Sequence, residues 1–200
     1  MRSDQPPKPV PFVGLTGGLG AGKSEALRAL GELGAATLST DAVVHELLQT
    51  DELRDRLVER LGPEVAAGGS IDRAAVAERV FGDAVARKWL EGELWPRVGM
   101  RVADWRQGLD GSEPAAVVEV PLLFESGMES VFDHTVAVVA DEDVRARRAA
   151  ERGHQGVASR TGRQLSQEEK AQRADYVIRN DGTLDELKAE LSTLLAKIAS

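Results

Sequence analysis

The feature that most constrains the fold is a glycine-rich stretch near the start of the chain, Gly17-Gly18-Leu19-Gly20-Ala21-Gly22-Lys23-Ser24. It matches the pattern G-x-x-x-x-G-K-[ST] at every fixed position. The apolar segment Phe12–Thr16 before it predicts a buried strand, and the apolar spacing after it predicts a helix that ends at Gly34. A strand, a glycine loop and a helix in this order are typical of an α/β protein.

The residue types of this loop favour the binding of phosphate. Glycines let the backbone curl with its N–H groups pointing inward at the positive end of a helix. In such loops Lys23 would reach the β- and γ-phosphates of a nucleotide, and the Ser24 hydroxyl would bind Mg²⁺. A ligand-free turn is the alternative, but it would not require a lysine followed by a hydroxyl residue. The predicted nucleotide contacts here are Gly18, Gly20, Ala21, Gly22, Lys23, Ser24 and Glu25.

Composition limits the partners and the compartment. The formal net charge of −8 argues against a general nucleic-acid or anionic-membrane surface, which would need a broad basic field. The chain has no cysteine, which excludes disulfides and thiolate metal sites and fits a cytoplasmic protein. We find no apolar run of membrane-spanning length. The proline-rich residues 1–11 predict a flexible arm, and residues 12–200 predict a single domain that we expect to be a monomer.

Two carboxylates follow predicted strands. Asp41 begins a helix directly after the short strand Ala35–Ser39, at the strand end where open parallel sheets bind ligands. It could accept a hydrogen bond or a proton from an acceptor hydroxyl, and His45, one turn later, is the competing base. Glu119 interrupts the apolar run Ala115–Val120. It either orients Mg²⁺ or is a glutamate at an exposed strand end, and both interpretations stay open.

The rest of the chain alternates helical and strand patterns. Residues 51–107 are mainly helical, with a break or kink expected near Pro96. His134–Ala140 and Asp175–Arg179 predict further strands. A capping box formed by Thr183 and Glu186 predicts the start of a final helix.

Basic residues are concentrated between Arg145 and Arg173, a segment that contains eight basic and three acidic residues. This segregation indicates a polyanionic ligand. The middle of the segment has little periodicity and predicts a lid on which Arg160 could neutralise a transferring phosphoryl group, with Arg163 or Arg148 as alternatives. We expect Lys170 and Arg173 to lie on a solvated helix face.

The sequence resembles the dephospho-CoA kinase family over nearly everything after the proline-rich arm. The resemblance lies in the segments Gly14–Ser24, the helix start Asp41-x-x-x-His45-Glu46, Asp72-Arg73, Val80-Phe81, Pro121-Leu122-Leu123-Phe124-Glu125 and Ala174–Gly182. The family phosphorylates the ribose 3′-hydroxyl of dephospho-CoA with ATP. In this chain Ser39, His45 and Trp95 stand where the family usually has an aspartate, an arginine and a histidine.

The resemblance implies a three-layer α/β/α P-loop kinase fold with a mostly parallel sheet, a helical acceptor-binding insert at about 51–107 and a lid at about 153–166. It implies that Asp41, Lys23 and Arg160 are catalytic. Further nucleotide contacts would be Arg148, Asn180 and Gly182, and the metal ligands would be Ser24 and Glu119. The acceptor contacts would be Thr16, His45, Asp72, Arg73, Leu122 and Glu125.

Two other functions stay open on the residues alone. A kinase of another nucleotide-like or small hydroxylated metabolite would need the same phosphate loop. A nucleotide-gated binding module would also need it, although the Asn-Lys-x-Asp and Leu-Ser-Gly-Gly-Gln motifs of two such classes are absent from the sequence.

Overall fold

The computed structural model of this chain describes residues 9–151 and 164–199. The described residues form two compact units. One includes the chain up to Ser39 and from Gly108 onward, and the other is Thr40–Gln107. None of the described helices is both long enough and apolar enough to cross a membrane.

The first unit is built on a five-stranded sheet in which every strand pair is parallel. The spatial order is β2-β3-β1-β4-β5, which places β1 in the centre. The central strands are nearly continuous apolar runs because both faces of a parallel sheet are covered. The predicted α/β fold with a parallel sheet is confirmed. The strands are β1 (Phe12–Gly17), β2 (Ala36–Ser39), β3 (Ala116–Glu119), β4 (His134–Val139) and β5 (Tyr176–Arg179).

Four helices of the first unit and four of the second are described. The first unit contains α1 (Lys23–Glu32), α6 (Glu142–Glu151), α7 (Gln167–Arg173) and α8 (Leu184–Ala199), with a 3-10 segment at Met128–Val131. The second contains α2 (Thr40–Leu47), α3 (Asp51–Leu61), α4 (Arg73–Val80) and α5 (Ala84–Gln107), with a 3-10 segment at Pro63–Ala66. The predicted end of α1 is confirmed: Gly34 has φ +93°, and Ala35 donates its amide to the Leu30 carbonyl at 3.0 Å.

The two faces of the sheet are covered by different groups. On one face, Val13 and Leu15 of β1 join a buried cluster with apolar side chains of α1 and α8. On the other, Phe12 stacks on Phe132 with ring centroids 4.6 Å apart. The chain therefore fixes β1, and with it the start of the glycine loop, from both sides.

The helical unit has a small apolar core, to which Leu53, Leu57 and Val98 contribute fully buried side chains. An ion-pair network joins α3 to α5 at its edge, where the Arg97 guanidinium binds Glu93 at 2.9 Å and Glu52 at 2.6 Å, and Arg56 also binds Glu93. The hydrogen bond from Arg56, together with the charge of both arginines, lowers the pKa of Glu93.

Of the break or kink expected near Pro96, the break is wrong, because α5 runs through this residue from Ala84 to Gln107. Proline has no backbone N–H, so Pro96 cannot donate to the carbonyl of Gly92, and the helix loses one hydrogen bond. Arg97 also donates to the Glu93 carbonyl at 2.8 Å and supports the same turn. Local helical bonding therefore outweighs the proline.

Candidate functional site

The phosphate loop connects the central strand to the first helix. Gly22 is the residue before α1 and has φ +91° and ψ +30°, a left-handed conformation that favours glycine. Its carbonyl accepts the first helical hydrogen bond, from the Ala26 amide at 2.9 Å. The Lys23 Nζ donates to the Gly17 carbonyl at 3.2 Å and to the Gly18 carbonyl at 3.0 Å. The lysine therefore folds back over the first half of the loop.

The last strand holds the second half of the loop in place. Asn180, which is 5% exposed, donates its side-chain amide to the Ala21 carbonyl at 2.9 Å. A Cβ on Gly22 would lie 2.0 Å from the Asn180 Nδ2, which leaves no space for any side chain. Position 22 therefore requires glycine for two reasons, its backbone conformation and its contact with Asn180.

The turn after β5 gathers the other predicted nucleotide contacts of this unit. The Arg148 guanidinium donates to the Asn180 carbonyl at 2.9 Å. Gly182 precedes the capping box, in which Thr183 and Glu186 bond each other as the sequence predicts. The Thr183 amide, followed by its hydroxyl, lowers the pKa of Glu186. Asn180 and Gly182 thus lie in one turn, to which Arg148 of α6 donates and which Asn180 joins to the phosphate loop.

The turn that follows β3, residues 121–127, is called the Pro121 turn, and an ion pair with little solvent exposure closes it. Lys170 is 2% exposed, and its Nζ donates to the Pro121 carbonyl at 2.6 Å and lies 3.0 Å from Oε1 of Glu125. The same Oε1 accepts the Leu165 amide at 3.0 Å. The fully buried Thr16 donates its hydroxyl to the Pro121 carbonyl at 3.3 Å.

The expectation that Lys170 lies on a solvated face is therefore wrong, because a partner 45 positions earlier in the chain draws its side chain inward. Two predicted acceptor contacts, Thr16 and Glu125, are engaged with this turn. A further predicted acceptor contact, Leu122, is half-buried within the turn.

Two oxygen ligands in the same unit fit a magnesium ion. Glu119 is the last residue of β3, is 6% exposed, and pairs in register with Leu15 on one side and Ser39 on the other. Ser24 is exposed in the first turn of α1. A carboxylate and a hydroxyl suit Mg²⁺ as protein ligands when nucleotide phosphates and water supply the remaining ligands. Glu119 is thus a buried group, not a glutamate at an exposed strand end.

The other predicted residue of the phosphate loop, Glu25, is half-buried in the first turn of α1 and pairs with Arg28. This ion pair lies on the helix surface.

The predicted residues of the helical unit lie on α2 and α4. Asp41 and His45 are both on α2, one turn apart, while Val43 and Leu47 of the same helix are buried. Asp72 caps α4 by accepting the Ala74 amide at 2.8 Å and the Ala75 amide at 3.3 Å. Asp41 therefore has a solvent-accessible carboxylate, whereas Asp72 has a structural task.

Arg73 borders an apolar cleft of the helical unit. The cleft is lined by Val44, Leu48, Val76, Ala77, Val80, Leu90 and Leu94. The predicted catalytic Arg160 and most of the predicted lid lie outside the described residues.

The sequence patterns missed Gln167 and Lys170. Gln167 binds both backbone groups of Ala140 at the end of β4, accepting its amide at 3.1 Å and donating to its carbonyl at 2.8 Å. Lys170 lies one turn later on α7. A polar α7 offers no apolar stripe, so only the local excess of basic residues could have pointed to these contacts.

Comparison with known proteins identifies the family that this chain matches. The family model of dephospho-CoA kinase matches residues 11–186. A relative from Protochlamydia amoebophila named dephospho-CoA kinase is 39% identical over 193 residues, covering 93% of this chain and 95% of its own. A relative of the same name from Deinococcus radiodurans is 37% identical over 194 residues, covering 93% and 91%.

Solved structures show the same fold. A crystal structure of a Thermus thermophilus protein is 34% identical, has a TM-score of 0.81, and the match covers 95% of this chain and 98% of that one. Dephospho-CoA kinase from Campylobacter jejuni, at 24% identity, has a TM-score of 0.64 with coverage of 96% and 98%, which shows the fold alone. On the family match and the two sequence relatives, this chain belongs to the dephospho-CoA kinase family.

Proposed function

We propose that this protein transfers the γ-phosphate of ATP to the ribose 3′-hydroxyl of dephospho-CoA, giving CoA and ADP. The phosphate loop carries the proposal: a left-handed Gly22 before α1 and a lysine folded over the loop, in a chain that matches the family over residues 11–186. Phosphoryl transfer of this kind relies on positioning and charge stabilisation, so no protein nucleophile is needed.

The donor would bind with its phosphates on the loop amides. Lys23 Nζ lies about one hydrogen bond from the Gly17 and Gly18 carbonyls, and it would exchange these neutral acceptors for phosphate oxygens. Charge-assisted hydrogen bonds are roughly twice as strong as neutral ones, which favours the exchange. Gly18, Gly20, Ala21, Gly22 and Glu25 would shape the loop, and Arg148, Asn180 and Gly182 would border the adenine.

Ser24 and Glu119 would hold Mg²⁺ together with the nucleotide. When bound, the ion neutralises charge on the β- and γ-phosphate oxygens. The hydroxyl of Ser24 would bind the ion directly. The carboxylate of Glu119 would orient it through water.

Asp41 would orient the acceptor hydroxyl. In the transfer, the hydroxyl oxygen forms a bond to the γ-phosphorus, the bond from that phosphorus to the ADP oxygen breaks, and the proton passes to Asp41 or to water. Phosphoryl transfer relies on positioning and charge stabilisation, so the main contribution of this aspartate would be orientation. His45 is the alternative base.

The remaining proposed roles follow the family resemblance. Arg160 would neutralise charge on the transferring group. Thr16, Leu122 and Glu125 would shape the acceptor site through the Pro121 turn, and Asp72 and Arg73 would contribute from α4. Residues 12–200 would act as a single kinase domain, with the acceptor insert at about 51–107 and the lid at about 153–166. We also propose a cytoplasmic monomer, which light scattering of the purified protein would test.

The direct test is product formation. Purified protein with Mg-ATP and dephospho-CoA should form CoA, identified by its mass, with one ADP released for each CoA. ADP release should fall to background without dephospho-CoA, or when a chelator removes Mg²⁺. A panel of nucleosides and small alcohols separates this activity from that of another kinase. Acceptor-independent ATP hydrolysis with no CoA formed would overturn the proposal.

The role of Asp41 is tested by comparing Asp41→Asn with His45→Gln, which removes the competing base one turn later on the same helix. We expect Asp41→Asn to keep the Kd for ATP and to lower kcat by about a hundredfold or more, because one orienting group at the reacting oxygen is worth on the order of 3 kcal/mol. His45→Gln should change kcat by less than about threefold. The reverse order of effects would assign the base to His45.

A further inference from the structure

Arg145, in the second turn of α6, lies along the phosphate loop. A Cβ built on Gly20 would be 2.9 Å from the Arg145 carbonyl and 3.3 Å from its Cα and Cβ. A Cβ built on Gly18 would be 3.6 Å from the Arg145 Nη1. The side chain therefore begins beside Gly20 and ends with its guanidinium beside Gly18. Glycines at these two positions allow this close approach.

The Arg145 guanidinium has an unused donor at this place. Its Nε is buried and, among the described residues, has no hydrogen-bond partner. A buried donor without an acceptor lowers stability, and native proteins retain few of them. No described residue therefore fixes the guanidinium through its Nε, which leaves the Nη groups beside Gly18 to take an acceptor from outside the protein.

The polar neighbours of Arg145 do not supply that acceptor. Gln167 approaches the same glycine, with its Oε1 3.4 Å from a Cβ built on Gly18, and this oxygen already accepts the Ala140 amide. Glu168 lies close enough for the charge of Arg145 to lower its pKa, but the larger causes of that lowering are a backbone hydrogen bond and hydrogen bonding with Gln167. The Glu168 side chain is not buried.

The position of the guanidinium indicates which part of a ligand it would contact. Lys23 Nζ also reaches Gly18, through its carbonyl at 3.0 Å, so two cations meet at one end of the loop. Two like charges beside a positively polarised helix start repel one another unless an anion lies between them. A lysine of this motif serves the β- and γ-phosphates.

We infer that Arg145 is a second cationic ligand of the nucleotide, and that its guanidinium binds the terminal phosphates beside Lys23. The inference rests on the proposed function only in placing a nucleotide on the loop. Arg145 would bind phosphate by its planar fork, whereas Arg148 bonds the Asn180 carbonyl at the adenine end. Arg145 and Arg148 would thus contact opposite ends of the nucleotide, the terminal phosphates and the adenine.

The test compares Arg145→Met, which keeps an unbranched stem against Gly20, with Arg147→Met, the matched control on the exposed face of the same helix. Dissociation constants are measured by calorimetry on the full chain for a non-hydrolysable ATP analogue, ADP and AMP. Loss of one charge-assisted contact should weaken the ATP analogue by about tenfold to a hundredfold. AMP, which lacks the terminal phosphates, should change by less than about twofold. Arg147→Met should leave all three unchanged.

Thermal unfolding without nucleotide provides a second readout. Because Arg145→Met removes a buried unpartnered donor, the melting temperature should stay the same or rise. Unchanged affinity for the ATP analogue would overturn the inference. So would an equal loss for the analogue, ADP and AMP with a lowered melting temperature, since that would indicate a structural role. These binding measurements need no dephospho-CoA, so they are independent of the test of the proposed function.

Discussion

The phosphate loop and the Pro121 turn are each held by a lysine that donates to a backbone carbonyl, yet the two lysines differ in what surrounds them. Lys23 is half-buried and donates to the Gly17 and Gly18 carbonyls of its own loop. Lys170 is buried, donates to Pro121 and forms an ion pair with Glu125. A cation on neutral acceptors can exchange them for an anion, whereas one with a buried carboxylate cannot leave it without large cost. The comparison distinguishes a lysine that binds ligand from one that holds the fold.

The largest effect should come from Lys23→Ala. We expect kcat/KM for ATP to fall by about a thousandfold or more, since the lysine stabilises charge that develops in phosphoryl transfer. The free energy of unfolding should change by less than about 0.5 kcal/mol, because water can serve the two loop carbonyls once the lysine is gone. Coupled ADP-release kinetics and urea unfolding measure the two quantities. A large loss of stability would remove the contrast with Lys170.

The second effect concerns the buried pair. Lys170→Met leaves the Glu125 carboxylate buried beside the Leu165 amide without its cation, and should cost about 3–5 kcal/mol of unfolding free energy. Replacing both partners, as Lys170→Met with Glu125→Leu, should recover most of that loss. Urea unfolding of the wild type, Lys170→Met and the double variant measures these free energies.

Lys188→Met is the matched control for Lys170→Met. Lys188 pairs with Glu32 at 2.7 Å, but its side chain is 34% exposed, so its loss should cost less than about 1 kcal/mol. Equal costs for Lys170→Met and Lys188→Met would contradict the structural role assigned to the Pro121 turn.

A smaller effect isolates the contact between Gly22 and Asn180. Gly22→Ala and Gly34→Ala both place a Cβ at a similar φ, +91° and +93°, but nothing lies within 4 Å of a Cβ at position 34. We expect Gly34→Ala to cost about 1 kcal/mol for its backbone alone. Gly22→Ala should cost about 1–3 kcal/mol more, because a Cβ would displace Asn180. Gly22→Ala should also weaken ADP binding measured by calorimetry, and Gly34→Ala should not. Identical behaviour of the two variants would argue against the contact.

The sequence predicted the parts of the molecule that depend on local pattern. Apolar runs located β1, β3 and β4 to within a residue or two, because strands buried on both faces have few polar positions to obscure them. The spacing of Gly17, Gly22 and Lys23 located the phosphate loop for a similar reason, since the backbone conformation itself demands glycine there.

The contacts between distant segments were not readable in the same way. The helix that carries Lys170 is polar nearly throughout, and nothing in its spacing shows that one lysine turns inward to Glu125. Pro96 predicted an interruption that the bonds of α5 overcome. Arg145 was one of eight basic residues in its segment, and among those that the structure describes its approach to Gly18 and Gly20 distinguishes it. Charge composition indicated the segment, and only the fold showed that Arg145 lies beside the phosphate loop.

The hydrogen bond from Asn180 to Ala21 joins residues 159 positions apart. During synthesis, a nascent chain would carry the whole glycine-rich motif long before the amide that steadies it leaves the ribosome. The central strand β1 likewise cannot pair until β3 and β4, which come much later in the chain, have been synthesised. The ability to bind nucleotide should therefore appear late in translation. A fragment that ends before Asn180 should contain the motif but should not bind ATP.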